Sequence, residues 1–175
     1  MEITTVLSDY MRYIFQDSKK QRNVEEELEH IEAYIRIQKL RYGEEAFSFE
    51  ATMDGDIGEW KVPSLLLQTL VENSVVHGVS LDRKSEISLY LTNETYEDGE
   101  YLYICISDTG NGFRKEALDA IEHDTPIIYH GRHHVGISNI KRRLALMYGE
   151  RASITCSNMD ENYGAVVEVR LPKTE

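Results

Sequence analysis

The chain is expected to fold as an α+β protein, a two-layer α/β sandwich in which helices cover one mixed sheet. Three observations lead there. Apolar residues recur at helical spacing over 3–15, 24–42, 65–77 and from 136 onward. They alternate with polar residues over 47–53, 87–91, 102–106, 152–157 and 165–171, the period of strands with one covered face. The two kinds are interleaved as helix, helix, strand, helix, strand, strand, polar segment, helix, strand, strand, so a single sheet must be buried by helices.

Size and charge set the bounds. The chain has 175 residues, 29% charged and 41% hydrophobic, enough for one globular domain with an appendage. Its 19 basic and 31 acidic residues give a net charge of −12, which argues against a nucleic-acid surface. Cys105 and Cys156 lie in strand-like runs and read as buried, reduced thiols. There is no apolar run of 18 residues and no signal-peptide pattern, so a cytoplasmic domain is expected.

The elements follow in order. Ile3, Val6, Leu7, Tyr10, Met11 and Ile14 form one helical face, which ends at the polar run 17–23. Asn23 is placed to cap the next helix, answered by Glu26, with Val24, Leu28, Ile31 and Ile35 on its apolar face. Glu25, Glu26, Glu27 and Glu29 read as a solvated acidic start that suits the helix dipole. Phe47, Phe49, Ala51 and Met53 make the covered face of a strand, and residues 54–58 a turn. Pro63 is read in the first turn of the helix that runs through 65–77. Residues 97–100 turn one strand back on another. Residues 113–135 are polar and irregular apart from a short helix near Lys115–Ile121, and read as a lid. A helix from Gly136 stops at Gly149, and two strands close the chain.

Three stretches carry candidate chemistry. Glu72 and Asn73 sit side by side in an apolar helix that stops at His77-Gly78. A buried amide needs a partner, and an amide oxygen suits Mg²⁺, which prefers oxygen ligands. Asp108 ends a strand and is followed by Gly110 and Gly112, which allow the backbone to approach a flat ligand. Gly136-Ile137-Ser138-Asn139 opens a helix, where backbone amides can meet an anion. His130, His133 and His134 read as polar lid residues, since no cysteine or acidic ligand completes a closed metal site.

An acid–amide helix, an Asp-x-Gly-x-Gly turn and a Gly-x-x-Asn helix start, in this order, resemble the three boxes of the gyrase/chaperone/histidine kinase/MutL (GHKL) ATPases, whose fold is the Bergerat type. Glu72-Asn73 with His77-Gly78, and Asn139 with Arg143-Leu144, resemble the LytS/YesM type of bacterial sensor histidine kinase. The resemblance implies ATP as substrate, with Mg²⁺ held by Asn73 and the adenine amine read by Asp108. It implies a pocket wall from Gly110 and Gly112, and nucleotide contacts from His77, Gly78, Gly136, Ile137 and Asn139. Glu72 is carried as a proton-handling carboxylate. The superfamily's hydrolytic glutamate would stand at 69, where this chain has Thr69, which favours a kinase over an ATPase. Val76 replaces a basic residue common in the family, so a phosphate contact would come from Lys84, Arg132 or Lys141, and His134 replaces the first glycine of the third box.

The resemblance also covers residues 1–42, as the end of the dimerisation and phosphotransfer region and its linker helix, with 43–175 as the catalytic domain. The acceptor histidine of the family stands in a Pro-His-Phe motif that this sequence lacks, and is expected upstream in a longer membrane receptor. The implied partners are that upstream helix, a response regulator and a second copy in the full-length protein. Two other readings remain open at this point: an anti-sigma-type serine kinase of the same fold, and a non-catalytic dimerisation or docking module.

Overall fold

The computed structural model describes residues 21–80, 82–123, 128–129, 132–133, 136–160 and 163–174. The expected helix over 3–15 and the lid histidines His130 and His134 lie outside them.

The elements are β1 (Gln21–Asn23), α1 (Val24–Tyr42), β2 (Phe47–Asp54), β3 (Lys61–Pro63), α2 (Leu66–Gly78), β4 (Ser85–Tyr96), β5 (Gly99–Asp108), α3 (Lys115–Glu122), β6 (Ile128–Tyr129), β7 (Arg132–His133), α4 (Gly136–Tyr148), a 3₁₀ turn (Gly149–Arg151), β8 (Ser153–Asp160) and β9 (Tyr163–Pro172). Five strands form the main sheet in the order β2-β4-β5-β9-β8. β2 is parallel to β4, and the other pairs are antiparallel, so the sheet is mixed as expected. Two small pairs, β1 with β3 and β6 with β7, lie outside it.

Alternation decides which face is covered. Ile87, Leu89 and Leu91 of β4, Leu102, Ile104 and Ile106 of β5, and Val167, Val169 and Leu171 of β9 are buried. They meet Leu66, Leu67, Leu70, Val71 and Val75 of α2, and α1 and α4 pack beside that helix. The opposite face is polar and half-buried. There the Tyr103 hydroxyl donates to Glu168 at 2.6 Å, and Arg170 stacks 4.7 Å over the Tyr103 ring while pairing with Glu94 at 3.0 Å. Cys105 and Cys156 are free and half-buried rather than fully buried. Burial raises both thiols, Cys156 to about 12 against the opposing pull of Lys141, so neither is a ready nucleophile.

Four local expectations change. β2 buries Phe47 and half-buries Phe49, but Ala51 and Met53 are exposed. β2 is an edge strand, and among the described residues the helices that cover Leu89 and Leu91 on its neighbour reach Phe47 but leave Ala51 and Met53 uncovered. Pro63 is the last residue of β3, at the end of a short pairing with Gln21, where a missing N–H costs little. The helix starts later, at Leu66, after Leu65 turns through φ 62°. A leucine in that left-handed region costs on the order of 1–3 kcal/mol and must be held by its surroundings. The acidic start of α1 is not all solvated, since Glu27 is completely buried. Its Oε1 accepts the Leu65 N–H at 2.7 Å. At the cap itself, Glu26 accepts from the Asn23 amide at 3.3 Å, while the Asn23 side chain bonds Glu59 and Lys61.

Burial and the nearby Arg22 pull His30 on α1 from its ordinary 6.5 down to about 4, against the opposing effect of Glu26. The folded chain therefore favours neutral His30, while the unfolded chain takes up its proton near the ordinary value. The sign is that stability is complete above about 6.5 and falls as the pH drops toward about 4. Thermal midpoints measured across this window should fall less in His30→Gln than in the wild type. Equal losses in both proteins would remove His30 as a source of the pH dependence.

Candidate functional site

The first centre forms where β5 ends against α2. Asp108 is 3% exposed at the last position of β5. Its Oδ1 accepts from the Gly110 amide at 2.9 Å and from the Ala165 amide at 3.5 Å. Burial raises its carboxyl above the ordinary range, while those two amides, the Ser74 hydroxyl and the nearby His77 pull the other way. The glycines around it are needed for space. A Cβ on Gly78 would lie 2.7 Å from the Asp108 carboxyl carbon, and one on Gly110 would lie 2.4 Å from the Gly78 Cα. The backbone of α2 thus comes to rest directly against the Asp108 turn.

Gly112, at φ 69°, continues the turn beside Asn158 of β8. Asn158 accepts the Phe113 N–H at 2.7 Å and donates back to the Phe113 carbonyl at 2.9 Å. That clamp ties the start of the lid segment to the sheet. Sequence reasoning missed Asn158, Ser74 and Ala165. They support the Asp108 turn from three different elements, and only Ser74, next to Asn73 in an apolar helix, left a local signal.

The second centre forms where α2 meets the start of α4. A Cβ on Gly136 would lie 2.8 Å from Oδ1 and 2.9 Å from Nδ2 of Asn73, so the helix start fits against the amide only because residue 136 is glycine. Among the described residues, the Asn73 Nδ2 is buried without a hydrogen-bond partner. A buried amide with an unpaired head is a group that calls for an outside partner. Because the O and N heads exchange by a flip, it can offer an oxygen. Ile137 is buried in the core and Asn139 is exposed. Gly136, Asn139, Ile140 and Arg143 face Leu65, just before α2, and Thr69 of α2 across a cleft of about 180 Å³.

The structure thus brings Asn73 to Gly136, and Gly78 to Asp108 and Gly110. Glu72 lies about 100° around the helix from Asn73 and accepts from Gln68 at 2.8 Å. His77 is exposed at the helix end, close enough to Asp108 to favour its ionised form. Lys141 is engaged elsewhere, donating to the Ile121 and Glu122 carbonyls at the end of α3. Lys84 lines a different, open hollow with Tyr42, Glu44 and Ser80. The side chain of Arg132 lies outside the described residues. No cluster of three or more metal-binding side chains occurs among the described residues.

The model of the Histidine kinase-, DNA gyrase B-, and HSP90-like ATPase family matches residues 62–175, which contain both centres. The chain belongs to this family. A histidine kinase family model matches residues 1–46, and the ATPase domain is thus homologous to the ATP-binding catalytic portion of sensor kinases. The chain is 32% identical over 149 residues to the Escherichia coli (strain K12) sensor histidine kinase YpdA, covering 82% of this chain and 24% of that protein. It is 29% identical over 170 residues to the Streptococcus agalactiae sensor protein LytS, covering 95% of this chain and 27% of that protein. It therefore spans about a quarter of the length of these relatives. Among solved structures, the catalytic domain of histidine kinase ThkA matches with a TM-score of 0.66 at 16% identity, over 89% of this chain and 97% of that one. Full-length ShkA in complex with AMPPNP matches at 0.61 and 14%, over 99% of this chain and 35% of that one. These establish the shared fold. Among the described residues no helix is long and apolar enough to cross a membrane.

The glycine contacts separate two kinds of damage. Gly110→Ala drives a Cβ into the Gly78 backbone, and should destabilise the ATPase domain by about 1–3 kcal/mol as overpacking. Gly136→Ala presses on a side chain, Asn73, and should lower nucleotide affinity more than the melting temperature. Thermal unfolding and calorimetric titration of both variants would check this, and the reverse ranking would contradict it.

Proposed function

We propose that this chain is the catalytic part of a protein-histidine kinase, binding Mg-ATP between α2, the Asp108 turn and the lid segment. The observation that carries the reading is the pair of centres along the second half of one short helix. Gly78 meets the buried Asp108 at one end, and the unpaired amide of Asn73 meets Gly136 little more than a turn away. In this reading Asp108 accepts a hydrogen bond from the adenine amine, and Gly110 and Gly112 let the backbone lie along the base. His77 and Gly78 border the same end. Gly136, Ile137 and Asn139 form the helix start that receives the phosphates. Asn73 would hold Mg²⁺ through its amide oxygen, and its buried, unpaired amide fits that role. When bound, the metal neutralises charge on the phosphate oxygens. Glu72 is proposed as the carboxylate that handles a proton near the transferred group.

The histidine kinase segment over residues 1–46 supports this reading over the anti-sigma serine kinase. We propose residues 1–42 as the end of the dimerisation region and its linker helix, and 43–175 as the ATP-binding domain. The phosphoryl group would pass to a histidine on an upstream helix of the same receptor, and then to a response regulator. The full-length protein would be a dimeric membrane sensor with this domain in the cytoplasm.

Calorimetry with Mg-ATP or a non-hydrolysable analogue should show a single site of micromolar affinity or weaker, about −8 kcal/mol at most. Asp108→Asn and Asn73→Ala should each weaken it, and binding unchanged in both variants would sink the site. The proposed acceptor leads to a second expectation. None of the six histidines, His30, His77, His123, His130, His133 and His134, lies in a Pro-His-Phe context. The chain alone should therefore take no label from radioactive ATP, and a peptide dimer carrying the upstream segment should restore labelling. Acid-labile label on the chain by itself would contradict the proposed acceptor.

A further inference from the structure

One peptide group joins three elements. The N–H of the Ser64–Leu65 peptide donates to Glu27 Oε1 at 2.7 Å, and its C=O accepts from Arg143 Nη1 at 2.5 Å. Glu27 is on α1, fully buried, and Arg143 is on α4, half-buried. The peptide itself leads directly into α2. A carboxylate on the N–H and a guanidinium on the C=O polarise the group in the same sense, so each bond strengthens the other. Among the described residues Leu65 is the one non-glycine residue with positive φ, and these two bonds hold the corner it makes. β1 adds a second connection from the same side. It pairs with β3, which ends at Pro63, and Gln21 donates to the Tyr148 hydroxyl of α4 at 2.9 Å.

The clamp stands at a fixed distance from the site. Leu65, at the N-cap of α2, is about two turns before Asn73, and Arg143 is about two turns after Gly136 on α4. The cleft between the helices is lined by both Leu65 and Arg143 at the clamp and by Gly136 near Asn73. A pivot of α2 against α4 at the clamp therefore changes how Asn73 meets Gly136. The Asp108 end is fixed separately, by β5, β9 and the glycine contacts.

We infer that Glu27 and Arg143 are positioning residues for the phosphate end of the nucleotide site, through which α1 sets the approach of Asn73 to Gly136; this rests on the ATP-binding reading above. The clamp acts on the affinity for the phosphates and not on that for the nucleoside. A residue that only stabilised the fold would lower both together.

The test titrates the 175-residue chain with Mg-ATP and with adenosine. Glu27→Ala and Arg143→Ala should each lower the ratio of ATP to adenosine affinity about tenfold, the scale of one charge-assisted hydrogen bond. The double variant should lose no more than the larger single loss, because both act on one peptide. Glu27→Gln, which keeps an acceptor oxygen, should restore most of the ratio. A wild-type ratio in folded Glu27→Ala and Arg143→Ala would overturn the inference. Amide exchange in the wild type gives a readout independent of variant folding: Leu65 should be protected as well as the core of α2, and exchange at loop rates would overturn the clamp. Asp108→Asn separates the two levels, since it should weaken ATP and adenosine alike. If it does so while the Glu27 and Arg143 variants leave the ratio unchanged, the inference alone fails. If the wild type binds neither ligand, the function proposed above fails and the inference falls with it.

Discussion

Asp108 is an acid taken out of water at the end of a strand, and much of the architecture around it exists to make that tolerable. Its carboxylate loses solvation and recovers part of it from two backbone amides and the Ser74 hydroxyl. Those donors come from the turn after β5, from β9 and from α2. All three must arrive together, so the acid fixes the relative position of the sheet and its central helix. The approach is so close that Gly78 and Gly110 have no room for a side chain.

The same helix is fixed again at its other end, by different chemistry. There a single peptide is held between a buried carboxylate from α1 and a guanidinium from α4. Between these two anchors lies Asn73, with an unpaired amide against a glycine. A polar group left unpaired inside a well-packed protein is costly. The helix that carries it is held on both sides.

The one-sided sheet gives this arrangement its footing. Leu89, Ile104 and Val169 stand at the centre of the covered face with no exposure at all, beneath α2. On the other face, the described residues make side-chain contacts such as Tyr103 with Glu168 and Arg170. The helices that carry the candidate residues, α2 and α4, therefore lie on one side of the sheet.

The amino-acid sequence by itself determined the period of each element, hence the mixed sheet with one covered face, and it marked the short runs that are proposed to carry the chemistry. Glu72-Asn73, Asp108-x-Gly-x-Gly and Gly136-x-x-Asn139 are local patterns, legible because glycine and buried polar residues have few reasons to occur where they do. What it did not determine were the contacts between residues far apart in the chain. Glu27 looked like one more glutamate in a solvated run, and only packing under the Leu65 corner buried it. Ala51 and Met53 alternate as properly as Leu89 and Leu91, yet lie exposed, because period says which face a residue is on and not whether a helix reaches it. Asn158 and Ala165 join the site across the sheet, and Pro63 ends a strand that pairs with Gln21. Such pairings depend on which surfaces meet after folding, and a pattern of neighbours along the chain does not contain that information.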